Sequence, residues 1–453
     1  MDAIPTPFHA PAPVPHARPL NALQFVLTAS RNPLEIWGAR AYREPFVAAQ
    51  WLGNPTIIVS DPAAIRYLMV ENAKNYAMQP LRQRVLRPIL RDGLLTAEGE
   101  LWRRTRKSLA PIFTPRNING FAAIMRDRTA LFAESLGREP EDCDIADAMT
   151  RLTYDILQAT LFTGDIAGDP AEFSAATATL LRTMGHVDPF DILDAPAFLP
   201  RLTRILGRRS ERYFRHLIAA TIERREGIMR HDPEAAPHDF LTLLLRAEGL
   251  SRPEIEDNII TFIGAGHETT ARALGWALYL LSQAPEEREK VEAELDAELD
   301  GLTDPVEWVD RLPYTRAAFE EAMRLYPPAP SLNRMALAAD RFGEIDIPKG
   351  ASVLILPWIV HRHERLWDRP GHFMPSRFLP ENRGSIDRYQ YLPFGVGPRV
   401  CIGQSFATQE GVIALATLMR HRRYDYRGSR PPFPIQKITV QPDIGFPMRV
   451  SPR

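Results

Sequence analysis

Phe394-Gly395-Val396-Gly397-Pro398-Arg399-Val400-Cys401-Ile402-Gly403 carries a cysteine on a glycine-rich loop that feeds a helical pattern over 403–418. N–H groups at a helix start and nearby cations favour the thiolate, the form of cysteine that ligates metal. Gly395 and Gly397 let the backbone turn sharply and lie close to a flat ligand, where a Cβ would obstruct. Phe394 can cover the sulfur, and Arg399 offers a cation to an acidic group on the same ligand. A solitary cysteine is ordinarily a small core hydrophobe. Here the whole string around it argues for a ligand.

Working outward, a second stretch lies inside the helical pattern over 253–283: Ala265-Gly266-His267-Glu268-Thr269-Thr270, preceded by the apolar run Ile259-Ile260-Thr261-Phe262-Ile263. Gly264 and Gly266 each cost about 1 kcal/mol relative to alanine in a helix interior, which predicts a close approach to that backbone. Thr269 can bond back to the carbonyl of Ala265 and loosen the helix, and Glu268 adds a proton carrier in an apolar setting. His267 reads as a helix-face residue. Taken alone, the stretch is equally a kinked core helix. A third element is Glu321-Ala322-Met323-Arg324, ahead of Leu325-Tyr326-Pro327-Pro328. Glu321 and Arg324 share a helix face, and Phe373-Met374-Pro375-Ser376-Arg377-Phe378 supplies Arg377 as a third member. A fourth is Trp102-Arg103-Arg104-Thr105-Arg106-Lys107, in which Trp102 and Arg106 lie on one face, suited to clamping a carboxylate.

In this order, from Trp102 to Gly403, the four elements resemble the cytochrome P450 family. The resemblance implies a mainly α fold with a small β subdomain, with haem b (iron protoporphyrin IX) between a long oxygen-activation helix and the cysteine loop and helix. Cys401 is then the metal ligand, and Phe394, Gly395, Ala265 and Gly403 lie against the cofactor. Trp102, Arg106, Arg399 and Arg334 (in Leu332-Asn333-Arg334) face its propionates. By the same resemblance Thr269 stabilises the oxygen intermediate and Glu268 relays protons to the distal oxygen. Glu321, Arg324 and Arg377 support the cysteine loop from behind; Ser376 departs from the acidic residue frequent at its place. Phe262, Ile263, Ala265, Leu332, Ile444 and Phe446 would line the substrate pocket, with the region after Tyr76, the segment 183–199, Pro330 and Ser331.

The implied reaction is a haem-thiolate monooxygenation by O2, a hydroxylation or epoxidation of a hydrophobic compound such as a fatty acid or terpenoid. Electrons come indirectly from NAD(P)H through a separate ferredoxin or flavodoxin and its reductase. Arg103, Arg104 and Lys107 would form a positive patch that steers such a carrier. A peroxide-driven peroxygenase, a haem-thiolate isomerase and a non-catalytic haem sensor are the alternatives. The first two have no need of an intact acid–alcohol pair, and the sensor would need an effector domain.

Composition agrees. The 453 residues are 45% hydrophobic with a formal net charge of -1, which implies no nucleic-acid partner. Two cysteines cannot build a disulfide framework or supply the four thiolates of an iron–sulfur cluster, so the expected compartment is the reducing cytoplasm. No apolar run reaches about 18 residues, and no transmembrane anchor is expected. Residues 1–20, with Pro5, Pro7, Pro11, Pro13, Pro15 and Pro19, lack the order of a signal peptide and read as an extended, partly mobile lead-in. Residues 21–453 read as one catalytic domain without a fused reductase. Helical periodicity is expected over 101–109, 119–136, 145–162, 203–226, 253–283, 285–300 and 315–325. Strands are expected at 56–59, 345–347, 352–356 and 438–440, which gives an α-rich fold with a minor sheet. The basic run Arg201, Arg204, Arg208, Arg209, Arg212 and Arg215 reads as a solvated helix face.

Overall fold

The computed structural model describes residues 7–51, 53–136, 139–166, 172–173, 176–177, 179 and 202–453. The chain divides into two units, one of residues 1–77, 122–153 and 268–453, the other of 78–121 and 154–267.

The first unit holds the sheets. Strand β1 (Phe46–Trp51) pairs antiparallel with β2 (Asn54–Val59), whose last four residues are buried. In chain order follow β3 (Tyr76–Met78), β4 (Glu141–Asp144), β5 (Arg334–Ala336), the hairpin of β6 (Asp340–Phe342) and β7 (Ile345–Ile347), and β8 (Ser352–Leu354). The main sheet runs β1-β2-β8-β5-β3; β2 and β8 are parallel, with Thr56 opposite Ser352. The β-branched residues Ile57, Val59 and Val353 join Ile65, Leu68 and Met69 in one cluster. Burial of each such side chain contributes about 1.5–3 kcal/mol. Val396 of the cysteine loop belongs to the same cluster, so the sheet's core anchors that loop.

Near the C-terminus come β9 (Arg422–Tyr426), β10 (Pro434–Gln436), β11 (Val440–Pro442) and β12 (Pro447–Pro452). Strand β12 lies between β4 and β9. The strand expected at 438–440 is instead a hairpin turn plus the start of β11. Lys437 N–H donates to the carbonyl of Thr439 at 3.0 Å, which folds the chain back and turns Thr439 inward, 3% exposed. Strands β4 and β9 escape a reading by hydrophobic pattern because they are largely charged.

The helix Gln404–His421 is buried almost throughout from Phe406 to Met419 and packs on Ala122–Ser135, Pro285–Glu298 and Pro313–Leu325. Over its described residues, 7–20, the lead-in is hydrogen-bonded to the first unit. Ala10 N–H donates to Gly371 and Phe373 N–H to Phe8, both at 2.9 Å, and Tyr326 Oη donates to the Pro11 carbonyl at 2.8 Å.

The second unit is helical, with Pro80–Leu90, Gly99–Leu109, Leu202–His231 and Phe240–Arg246 as its chief elements. Phe113, Phe121, Phe240 and Phe262 make an aromatic cluster. Two buried arginines tie the unit together. Arg225 donates to both Asp239 carboxylate oxygens, to Thr242 and to the Phe162 carbonyl. Arg215 donates to Asp257 at 2.8 Å and to the Ile89 carbonyl at 2.6 Å. Arg215 is thus a correction to the solvated-face reading: Asp257 gives it a buried partner that the spacing of arginines cannot reveal.

Candidate active site

The cysteine loop closes on itself, with Cys401 N–H donating to the Phe394 carbonyl at 2.9 Å. Gly395 and Gly397 have φ of 71° and 78°, the left-handed region that a side chain disfavours. At Gly397 a Cβ would also stand 1.9 Å from the Met69 carbonyl oxygen. The loop therefore needs glycine there for the approach of its own chain. The Cys401 residue is exposed, Phe394 and Arg399 are partly so, and Leu332 borders Gly395. Arg334, on β5, is 8% exposed. Gly403 caps the helix Gln404–His421.

Behind the loop lies a buried polar network. Arg324 donates to both oxygens of Glu321, at 2.6 and 2.8 Å, and to the carbonyls of His361, Pro370 and His372. Both side chains are fully buried. Met374 N–H adds a bond to Glu321 at 3.0 Å, and Arg377 Nε lies 3.4 Å from it. Burial pulls the Arg377 guanidinium below its usual value, with Glu321 opposing. His361 is the member sequence reasoning missed. Its Nε2 accepts the Leu392 N–H at 2.7 Å and its Nδ1 lies 3.2 Å from the Arg324 carbonyl. Burial, then the charges of Arg324 and Arg362, hold it well below the ordinary histidine range. It is neutral, with the proton on Nδ1, and links the Glu321–Arg324 pair to the segment leading into the cysteine loop. A lone histidine far from any motif gave no signal of this.

The long helix Arg252–Gln283 carries the acid–alcohol stretch. Within the first unit, Thr439 Oγ1 donates to Glu268 Oε1 at 2.7 Å, and Arg272 lies 3.9 Å from the same oxygen. Thr439 is a second residue that sequence reasoning missed. Within the second unit, a Cβ on Gly266 would meet Leu157 Cδ1 at 3.3 Å, so a leucine approaches the backbone closely at Gly266. His267 is buried, its Nδ1 2.9 Å from the Ile263 carbonyl.

A model of the cytochrome P450 family matches residues 11–446. The chain belongs to the cytochrome P450 family. Cyclooctatin synthase of Streptomyces melanosporofaciens is 30% identical over 438 residues, covering 94% of this chain and 92% of that protein. Cytokinin hydroxylase of Arabidopsis thaliana is 30% identical over 428 residues, covering 91% and 82%. The crystal structure of the P450DA heme domain superposes with a TM-score of 0.81 at 26% identity, over 98% of each chain. As a P450, the chain is a monooxygenase that takes haem.

The residues present fit that cofactor. One soft thiol stands on a closed loop with cations on the same unit, the donor set of a porphyrin iron rather than of a caged ion. Among the described residues no group of three or more His, Cys, Asp or Glu could hold a bare metal. Of the remaining P450 site candidates, Trp102 and Arg106 lie partly exposed on Gly99–Leu109 of the second unit. Phe262 packs edge-on to Phe113 at 5.3 Å, Ile263 is buried and Ala265 exposed. Ile444 is 39% exposed, but Phe446 is fully buried, edge-on to Trp276 at 4.8 Å and over Gly275. Phe446 thus packs among buried aromatic rings. The segment 183–199 and the side chains of Arg201, Arg204, Arg208 and Arg209 lie outside the described residues. Arg103 pairs with Glu100 and Arg104 with Glu254, so two cations of the expected patch have acidic neighbours. Among the described residues no helix is long and apolar enough to cross a membrane.

Proposed function

We propose that this P450 hydroxylates or epoxidises a hydrophobic small molecule, with electrons from NAD(P)H delivered by a separate ferredoxin or flavodoxin and its reductase. The observation that carries the reading is Cys401 on its closed loop, backed by the buried Glu321–Arg324–His361 network. Haem held by that thiolate supplies the binding of O2 and the cleavage of its O–O bond. Cys401 would hold the iron, with Phe394 and Gly395 against the porphyrin and Arg399, Arg334, Trp102 and Arg106 at its propionates.

The chain's own residues supply positioning and protons. Glu268 accepts a hydrogen bond from the Thr439 hydroxyl and stands one residue before Thr269, so an acid and an alcohol are presented together for proton transfer. Both being present favours O2-driven over peroxide-driven chemistry. Phe262, Ile263 and Leu332 are apolar side chains, which supports a hydrophobic substrate such as a terpenoid or fatty acid. Two free thiols, Cys143 and Cys401, agree with a reducing cytoplasmic setting. The exposed side chains of Arg103, Arg104 and Lys107 support an acidic carrier.

The test is the absorption spectrum of the reduced, CO-bound protein, then product formation with NADPH and a redox partner. A red-shifted, thiolate-type band that Cys401→Ser abolishes is expected. The same band in the serine variant removes Cys401 from the ligand role. Product formed with peroxide alone, and none with NADPH and O2, overturns the monooxygenase mode.

A further inference from the structure

The segment Tyr67–Glu71 is a turn of π-helix, closed by the Asn72 N–H donating to the Tyr67 carbonyl at 2.8 Å. Such turns are rare, occur mostly singly and are frequent at functional sites. One carboxylate holds both ends of this one. Asp340, on β6, accepts from Tyr67 Oη at 2.9 Å and from Asn72 Nδ2 at 2.8 Å, so the two residues that close the backbone ring are also joined through a side chain remote in sequence. Tyr76 Oη of β3 donates to Asp340 at 2.6 Å and the Arg341 N–H at 2.8 Å. The Tyr67 ring packs on Phe342 of the same hairpin, 5.4 Å between centroids. Burial pushes the Asp340 carboxyl up, but these four donors outweigh it and hold it below its ordinary range. It is therefore ionised and accepts at both oxygens.

The middle of the turn meets the cysteine loop. Tyr67–Glu71 packs on Gly397–Arg399. The Met69 carbonyl and the Val70 side chain close over Gly397, with Val70 Cγ2 3.7 Å from where a Cβ there would stand. Leu68 and Met69 are buried in one cluster with Val396, the residue before that glycine.

We propose that Asp340 is a positioning residue for Cys401: by clasping Tyr67 and Asn72 it fixes the width of the π-turn, and Met69 and Val70 in the middle of the turn then fix Gly397 and the loop that carries the thiol. Its bearing on the cofactor rests on the reading of Cys401 as the haem ligand. Without the carboxylate, two donors lose a charged acceptor. The turn can then relax toward ordinary helical spacing, which shifts the Met69 carbonyl against Gly397.

The test compares variants of the full-length, haem-loaded protein. The amides of Val400 and Cys401 donate to the Gly397 and Phe394 carbonyls at 3.0 and 2.9 Å. In Asp340→Ala their hydrogen exchange should quicken several-fold, and the reduced CO complex should show a larger share of the shorter-wavelength, thiol-type band. The hairpin should stay docked, because the N–H groups of Leu337 and Ala338 still donate to Asn75 at 2.8 and 2.9 Å. Tyr67→Phe combined with Asn72→Ala should reproduce both changes, and serves if Asp340→Ala does not fold. Tyr76→Phe removes a bond to the same carboxylate but none from the turn, and should leave exchange and band as in wild type. Wild-type exchange at Val400 and Cys401 in the turn-releasing variants means that the clasp only pins the hairpin, and overturns the proposal. A Tyr76→Phe effect as large as that of Asp340→Ala overturns it too. A wild-type protein without the thiolate-type band breaks the reading of Cys401 instead. The exchange comparison needs no thiolate and still decides whether Asp340 positions the loop.

Discussion

Glu321 and Glu410 are buried glutamates on two helices packed together, and their surroundings are opposite. Glu321 faces Arg324 with two short bonds, a backbone N–H from Met374 and the nearby Arg377. Glu410, on Gln404–His421, is buried with no well-formed hydrogen bond to either carboxyl oxygen among the described residues, and no cation acts on it. The first arrangement builds a charge into a rigid support for the cysteine loop. The second leaves a carboxyl whose charged form burial disfavours. The contrast teaches that burial alone does not define a carboxyl's work; its partners do.

Removing Arg324 should have the largest effect, because it leaves Glu321 buried without its chief counter-charge and strands several acceptor carbonyls. Arg324→Ala is expected to cost about 3–5 kcal/mol, a large share of the 5–15 kcal/mol typical of a folded protein. Urea unfolding and Soret absorbance should show loss of stability and of retained haem together. Retention of both would mean that the network is dispensable and the contrast is empty.

Thr269→Ala probes the other side. It leaves the Glu321 network intact, so haem and fold should persist while product formed per NADPH falls on the order of tenfold and peroxide rises. Unchanged coupling removes Thr269 from proton delivery. A smaller change is expected for Thr439→Val, which takes the hydroxyl donor from Glu268. A loss of about 1–2 kcal/mol in stability, with reduced coupling, would separate it from a bland surface change. The smallest effect belongs to neutralising Arg103, Arg104 and Lys107 together. Exposed pairs contribute under about 1 kcal/mol each, so stability should hold while the Michaelis constant for an acidic carrier rises, most clearly at low salt. Equal constants for the triple variant and wild type at low salt would dismiss that docking face.

The sequence made local chemistry legible. Cys401 with its glycines, Glu321 with Arg324, and the glycine-bearing long helix all depend on residues a turn or less apart, and the helices they sit on follow from short-range periodicity. Thr439 was harder, because it reaches Glu268 only after a hairpin turn places it there. His361 becomes informative only when the chain brings Leu392 to its Nε2. Arg215 looks solvated until Asp257 appears beside it.

Spacing along the chain, then, determined the family, the thiol and the helix that carries the acid–alcohol pair, because each is encoded in a few consecutive residues. Only the tertiary structure decided which buried charges are matched and which are not. Glu321 has Arg324 three residues on, which its spacing already shows, whereas Glu410 has no cation within a turn. What spacing could not show is the rest of the Glu321 environment, the Met374 N–H and Arg377 from a segment some fifty residues away, since a buried charge is settled by the hydrogen bonds and counter-charges that reach it.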